Sequence, residues 1–136
     1  MFSHITVGTT DLLRAATFYD AVLTPLGLRR RKVAPDGGPP TLCWVGSDSV
    51  STRLYVYVSQ DGNAASAGNG SMVAFNAPDP QTVEQAYAAG LATFGTNDGE
   101  PGPRPHYGEG YYGAYLRHPD GNKIHIVRRG DLLLLY

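Results

Sequence analysis

The chain of 136 residues is long enough for one globular domain with its own core. Hydrophobic residues make up 42% of it and charged residues 17%, which argues against global disorder, while a formal net charge of −1 argues against a nucleic-acid partner. Because no apolar run reaches the length of a membrane span and the N-terminus has no signal-peptide pattern, we expect a soluble, cytoplasmic protein without a membrane partner. The single cysteine, Cys43, lies in an apolar run and is interpreted as a core residue.

The two halves of the chain repeat one pattern at an offset of 68 residues. Shifting residues 4–27 by this offset places them on residues 72–95 without a gap. The five identical pairs are Asp11 with Asp79, Tyr19 with Tyr87, Ala21 with Ala89, Leu23 with Leu91, and Gly27 with Gly95. Five identities alone would be weak evidence, but the order of secondary-structure signals is also the same in both halves. We therefore predict a tandem duplication.

Each half opens with a strand pattern of period two, at residues 4–7 and 72–75. An aspartate then precedes a helical pattern, which predicts helices over about residues 12–26 and 80–94 with Asp11 and Asp79 as N-caps. Glycine stands where each helix should stop, at positions 27 and 95. Three more strands are predicted after each helix, at residues 29–33, 41–45 and 52–58 in the first half and at 95–97, 111–117 and 123–128 in the second.

The predicted fold class is therefore α+β, with two tandem βαβββ repeats that form a curved, mostly antiparallel cup. Within one domain of residues 1–136, repeat one covers about residues 1–60 and repeat two about residues 71–130. Residues 60–70 are rich in Gly, Ala, Ser and Asn, which indicates a flexible linker. A repeat this short cannot bury both faces of its sheet. We therefore expect the two repeats to pack together and to enclose a shared concavity.

Residues 101–115 are the most unusual segment, because six glycine and proline residues between positions 101 and 110 favour a loop at the mouth of the cup. Its side chains would build an aromatic pocket with polar tips for a small organic anion or ring. These pocket candidates are Arg104, His106, Tyr107, Tyr111, Tyr112 and Tyr115. The alternative is a surface loop whose tyrosines pack on the sheet. Strand alternation puts Tyr111 and Tyr115 on the face opposite to Tyr112, and the sequence leaves open which face lines the cup.

Two other polar segments receive a structural interpretation. The basic residues 29–32 are interpreted as a charged strand edge, which discourages aggregation. Residues 119–122, Pro-Asp-Gly-Asn, have the turn chemistry of a hairpin that leads into the last strand. His118, beside this turn, is expected to face solvent, and Asp120 is expected to be a turn residue.

Three parts of the sequence resemble the vicinal-oxygen-chelate superfamily, which includes glyoxalase I, extradiol dioxygenases and the bleomycin- and fosfomycin-resistance proteins. They are the opening His4-Ile-Thr-Val, the helical residues 16–23 and the hairpin residues 115–124. The resemblance covers essentially the whole chain, and residues 119–122 are its most specific part. It implies the glyoxalase-like fold and a cup-shaped site for a small oxygenated or aromatic molecule. It also implies a homodimer, because a second chain often completes or buttresses the cup in this superfamily.

In this superfamily a divalent metal ion is bound in the cup by the first and last strands of each repeat. The resemblance places these positions at His4, Tyr57, Met72 and His125. The superfamily usually has Glu at the last-strand position and His or Glu at the first strand of repeat two, so this chain departs from the pattern at both. Because imidazole suits Zn, Ni, Fe or Co, His4 and His125 are the candidate ligands of a weakly bound metal, with Tyr57 as a third and Met72 as a pocket residue. The alternative for both histidines is a hydrogen-bonded role in a metal-free cavity.

Two functions follow from the resemblance. The first is a metal-dependent lyase, isomerase or dioxygenase, in which the metal polarises two adjacent substrate oxygens and a nearby base moves a proton. The matched positions hold no glutamate to act as that base, and Glu109 is the remaining candidate by residue type. The second is a metal-free protein that binds or sequesters a drug-like or aromatic molecule, as bleomycin-resistance proteins do. The metal content of the purified protein distinguishes the two.

Overall fold

The computed structural model describes residues 2–34, 37–47, 52–59 and 61–131, so the predicted start of the linker at residue 60 lies outside it. Repeat one contains β1 (Ile5–Thr9), α1 (Leu12–Leu23), β2 (Arg29–Arg31), β3 (Thr41–Val45) and β4 (Arg53–Val58). Repeat two contains β5 (Val73–Asn76), α2 (Pro80–Ala92), β6 (Thr96–Pro103), β7 (Tyr112–Arg117) and β8 (Lys123–Arg128). A short 3-10 turn, Pro105–Tyr107, joins β6 to β7.

Each repeat forms its own four-stranded sheet with the same topology. Sheet one has the order β1-β4-β3-β2 and sheet two the order β5-β8-β7-β6. The first strand of each repeat pairs in parallel with the last, and the other pairings are antiparallel. This confirms the predicted α+β class with two tandem βαβββ repeats.

Both helices begin at the predicted aspartate caps. The Asp11 carboxylate accepts a hydrogen bond from the Arg14 backbone N–H at 3.0 Å, and the Asp79 carboxylate accepts one from Thr82 at 2.7 Å. These bonds satisfy backbone donors that have no partner inside the helix. Helix α1 ends a few residues earlier than predicted, and Gly27 has the left-handed φ of 86° that such a helix end favours.

One hydrophobic core joins the two repeats through their helices. Strand alternation directs Val56 of β4 and Ile126 of β8 towards the helices, and both are fully buried. Helix α2 approaches α1 closely because it has a glycine at the contact, where a Cβ atom on Gly90 would lie 3.1 Å from a methyl group of Val22. We call the sheet face that contacts the helices the inner face and the opposite face the outer face.

The described part of the chain contains no helix long and apolar enough to cross a membrane.

The turn of residues 119–122 ties repeat two to repeat one. The Asp120 side chain, only 4% exposed, accepts hydrogen bonds from the Thr9 hydroxyl at 2.6 Å and from the Thr10 hydroxyl and backbone N–H at 2.8 and 3.1 Å. Burial alone would raise the pKa of Asp120, but these bonds outweigh it and the pKa is lowered. Asn122 adds a bond from its side-chain amide to a β1 carbonyl at 3.0 Å. Asp120 is thus an inter-repeat hydrogen-bond acceptor as well as a turn residue.

His118 does not face solvent, contrary to the expectation from sequence. It is 1% exposed and packs on α1, with ring centroids 5.0 Å from Phe18 and 5.1 Å from Tyr19. Its Nδ1 accepts a hydrogen bond from the Asp120 backbone N–H at 3.2 Å, and burial lowers the pKa of His118 to about 4. The imidazole is therefore neutral at physiological pH. The expectation was wrong because the turn that carries His118 covers a helix of the other repeat.

Strand β6 is longer than predicted and takes up the start of the segment that was expected to be a loop. It extends to Pro103 and pairs with β7 through two register shifts, between Asn97 and Gly99 and between Gly99 and Gly102. Proline fits here because β6 is a sheet edge, where an N–H donor on the side away from β7 is not needed.

The other interpretations of strand residues are confirmed. Cys43 is buried, and the basic strand β2 is the free edge of sheet one.

Replacing Asp120 with alanine should lower the free energy of unfolding by about 3 kcal/mol, because it leaves the buried Thr9 hydroxyl without its acceptor and removes the bonds from Thr10 and the ion pair with Arg14. Asp98→Ala is the matched control. Asp98 pairs with Arg117 and Lys123 at 3.1 and 3.5 Å on a partly exposed surface, so its loss should cost less than about 1 kcal/mol. Urea unfolding measures both values. Equal losses in the two variants would contradict the assigned role of Asp120.

Candidate functional site

The outer face of sheet one carries a cavity of about 780 Å³. Strand residues on its wall include His4, Thr6, Tyr55 and Tyr57, and the loop that precedes β3 closes one side. All of its lining residues belong to repeat one. The volume is in the range of sites for drug-sized molecules.

His4 and Tyr57, two of the four positions that the resemblance marks, share this cavity. The His4 ring meets Tyr55 edge to face, with centroids 5.1 Å apart, and its Nδ1 lies 3.0 Å from the Ser3 hydroxyl. His4 is exposed, so its other nitrogen is open to solvent or to a ligand. The cavity therefore offers aromatic surface, an imidazole and phenol groups, and the described residues that line it include no carboxylate side chain.

His125 lies on the outer face of sheet two with both ring nitrogens hydrogen-bonded. Nδ1 is 2.9 Å from the Ala114 carbonyl oxygen, which only accepts, so Nδ1 carries the proton. Nε2 then accepts from the Tyr111 hydroxyl at 2.8 Å. Burial lowers the pKa of His125, and the basic Arg104 and Lys123 act in the same direction. His125 is therefore a neutral imidazole whose lone pair is already used.

Tyrosine rings surround His125 and form what we call the aromatic platform, made of Tyr107, Tyr111, Tyr115 and His125. Tyr115 stacks on His125 with centroids 4.1 Å apart and planes 9° from parallel. Tyr111 follows at 5.9 Å from His125, and Tyr107 lies 5.2 Å from Tyr111. The ring of His106 continues the contacts at 4.0 Å from Tyr107, on the exposed side.

Glycines in β6 and β7 make room for the flat groups of this face. A Cβ atom on Gly113 would lie 2.5 Å from a ring carbon of His125, and one on Gly99 would lie 2.7 Å from the Tyr115 ring. Both distances are too short for any side chain, so these positions require glycine. At Gly102 the fit is less strict, since a Cβ atom there would lie 3.1 Å from the Arg104 guanidinium. Of the glycines that suggested a loop, Gly102 lies in β6, whereas Gly108 and Gly110 have positive φ values of 134° and 75° and lie before β7, so the loop prediction holds for that part of the segment.

The remaining predicted pocket residues are in different places. Tyr112 lies on the inner face, where its hydroxyl donates to Glu84 of α2 at 2.6 Å, so strand alternation separates it from the platform. Glu109 is exposed in the turn before β7, and the described residues include no hydrogen-bond or ion-pair partner for its carboxylate. Met72 is 45% exposed beside β5 and borders a small cleft away from the main cavity. Arg104 stays close to the platform, because its backbone N–H donates to the Tyr111 carbonyl at 2.8 Å.

Within one chain the four marked positions form two separate groups, which we call the half-sites. One is His4 with Tyr57 at sheet one, and the other is Met72 with His125 at sheet two. No hydrogen bond or ring contact among the described residues links His4 or Tyr57 to His125 or Met72. The donor set does not fit a divalent metal ion either, because it offers one open imidazole, a phenol, a thioether and an imidazole with both nitrogens bonded. Within the described part of the chain, no group of three or more His, Cys, Asp or Glu side chains could hold a metal. The sequence could not show the bonding of His125, since it depends on the neighbouring strand.

Tyr111→Phe should raise the pKa of His125, because the Tyr111 hydroxyl donates to the neutral ring and so favours the unprotonated form. An NMR titration of the His125 ring protons measures this change. Tyr112→Phe is the matched control, since it removes a hydroxyl from the adjacent residue on the other face of the strand and should leave the His125 pKa unchanged. A fall in the pKa of His125 in Tyr111→Phe, or an equal rise in the control, would contradict the assigned hydrogen bond.

Comparisons with known proteins agree with this fold. The family model described as "Glyoxalase/Bleomycin resistance protein/Dioxygenase superfamily" matches residues 1–126. The crystal structure of a glyoxalase/bleomycin resistance protein from Albidiferax ferrireducens is 36% identical, with a TM-score of 0.80 over 95% of this chain and 98% of that chain. The fosfomycin resistance protein FosX from Mesorhizobium loti is 14% identical, with a TM-score of 0.68 over 100% of this chain and 98% of that one.

The lactoylglutathione lyase from Agrobacterium tumefaciens is 20% identical, with a TM-score of 0.62 over 97% of this chain and 95% of that one. At such identities FosX and the lyase show similarity of fold alone. The search of curated proteins found no match. The family model and the relative from A. ferrireducens are sufficient for assignment, and the chain belongs to the glyoxalase/bleomycin resistance protein/dioxygenase superfamily.

Proposed function

We propose that the protein binds a small oxygenated or aromatic molecule, and that it does so without a resident metal ion. The observation that carries this proposal is the state of His125. At the position where the superfamily usually has a metal-binding glutamate, this chain has a neutral imidazole bonded at both nitrogens and stacked on Tyr115. At 1% exposure this imidazole is a packed support for the tyrosine rings around it, and it does not offer a lone pair to a metal.

The cavity of sheet one supports the same function. Its volume of about 780 Å³ suits a small organic ligand, and Tyr55 and Tyr57 supply aromatic faces together with phenol groups. His4 adds an imidazole that accepts or donates a hydrogen bond. Sequestration of a drug-like molecule needs these properties and no further chemistry, because tight binding alone removes the molecule from its target.

The alternative is a metal-dependent lyase, isomerase or dioxygenase. It requires ligands with free lone pairs and a base within hydrogen-bond reach of the substrate. His4 is the one marked histidine with an unbonded ring nitrogen, and Glu109 is exposed in a turn. We therefore expect little thioester formation from the glutathione–methylglyoxal adduct, with or without added Zn or Ni.

A second copy of the chain would join the two half-sites, and we include a cytoplasmic homodimer in the proposal. Two sheet edges are protected against pairing, β2 by its arginines and β6 by its prolines. The edges at β1 and β5 have no such protection, and apolar side chains are exposed beside them, with Ile5 at 39% and Phe2 at 87%. A homodimer that covers these edges would bring the outer face of sheet one beside the partner's sheet two.

Binding of 2-naphthol to protein treated with a chelator tests the proposal. We expect saturable binding whose Kd changes less than about twofold when Zn or Ni is added, because no metal takes part. Tyr57→Ala should weaken binding roughly tenfold through the lost ring contact. Leu13→Ala, on an exposed position of α1, is the control and should have no effect.

Two results would contradict the proposal. One is loss of 2-naphthol binding on treatment with a chelator, with recovery on addition of Zn that His4→Ala prevents. The other is robust thioester formation that a chelator abolishes, which would favour the enzyme.

A further inference from the structure

The aromatic platform lies beside a cation whose charge is not neutralised. The Arg104 guanidinium donates to the backbone carbonyls of Glu100 at 2.7 Å and Pro103 at 3.3 Å, and these bonds hold it in place. Neither acceptor carries a charge. Among the residues that the structure describes, no carboxylate lies within ion-pair distance of Arg104. A fixed guanidinium next to ring surfaces is a binding group for a planar oxyanion.

The two acidic residues of β6 do not pair with Arg104. Asp98 is paired with Arg117 and Lys123. The Glu100 side chain is exposed, and its charge raises the pKa of Tyr87 of α2. Among the described residues Arg104 therefore has no acidic partner, and the acidic Glu109 of the neighbouring turn has no cationic one. A cationic ligand would be repelled there, and an anionic one attracted.

Phenol groups supply further donors to an anion. Burial raises the pKa of Tyr111 and Tyr115, so both phenols stay protonated at neutral pH. Arg104 lies next to these residues, because its backbone N–H donates to the Tyr111 carbonyl at 2.8 Å and its carbonyl accepts from the Tyr107 N–H at 3.0 Å. The Tyr111 hydroxyl is used by His125, whereas the Tyr115 and Tyr107 hydroxyls have no hydrogen-bond partner among the described residues. An oxyanion beside Arg104 would thus meet O–H donors as well.

We propose that the outer face of sheet two binds a planar aromatic carboxylate, with the carboxylate at Arg104 and the ring on Tyr107 and Tyr111. This inference rests on the proposed small-molecule binding and names the class of ligand. Gly102 supports it, because a Cβ atom at this position would lie only 3.1 Å from the Arg104 guanidinium. The missing side chain leaves room for the guanidinium on this strand.

The test compares 2-naphthoate with 2-naphthamide, which has the same ring and shape without the charge, by calorimetric titration in the presence of a chelator. Wild-type protein should bind the acid at least tenfold more tightly than the amide. Arg104→Gln should remove this preference and leave amide binding within twofold of wild type. Arg104→Lys keeps the charge and should retain part of the preference. Because Arg104 also anchors β6, the thermal midpoint of each variant is measured, and Arg104→Lys serves as the reference if Arg104→Gln does not fold.

The control is Arg117→Gln, which removes the same charge from the same sheet at a site already paired with Asp98. It should leave the preference for the acid unchanged. Equal affinity of wild-type protein for the acid and the amide would overturn the inference, as would an unchanged preference in Arg104→Gln, while 2-naphthol binding would still support the proposed function. If neither 2-naphthol nor 2-naphthoate binds, the proposed function fails and the inference fails with it.

Discussion

The hydrogen bonds accepted by the Asp120 carboxylate fix how the two repeats lie against each other. A carboxylate this deeply buried is unfavourable unless donors surround it, and here they come from Thr9 and Thr10 of the other repeat. The turn of residues 119–122 must therefore rest on the end of β1 and the start of α1. His118 adds to the same inter-repeat contact by packing on α1. With the inner faces joined in this way, the two outer faces are left free to carry the binding groups.

Each outer face is built from flat aromatic and imidazole side chains instead of carboxylate metal ligands. On sheet one these are His4, Tyr55 and Tyr57, and on sheet two they are the aromatic platform. The strand positions are equivalent in the two repeats, because Tyr57 and His125 are separated by the repeat offset and both lie on the last strand of a sheet. The duplication thus produced two half-sites of related position and different chemistry. On sheet two, Arg104 lies beside the rings without an ion-pair partner among the described residues, which is why we assign the anionic part of a ligand to that half.

The duplication and the caps were predictable from sequence because they depend on local signals, such as the paired aspartates and the glycine at position 27. Prediction from sequence failed where the surroundings of a residue come from a different helix or strand. His118 was placed in solvent because nothing in its neighbourhood reveals the helix that covers it. Residues 101–103 belong to the segment expected to be a loop but form the end of β6, since glycine that makes room for a side chain in a sheet looks the same in sequence as glycine in a turn. The tautomer of His125 depends on Ala114 of β7 and on Tyr111, which directly precedes β7. It can be assigned only when the register between β7 and β8 is known.

The central claim is that the two half-sites form one binding site between two chains. A mixing experiment tests it most directly, with Tyr57→Ala damaging one half-site and Arg104→Gln the other. Refolded together in equal amounts, the variants should pair at random, and half of the dimers should be mixed, each with one intact site. The account predicts that the mixture recovers wild-type affinity for 2-naphthoate at about one quarter of the wild-type stoichiometry. A mixture that binds no better than the average of the two separate variants would contradict it.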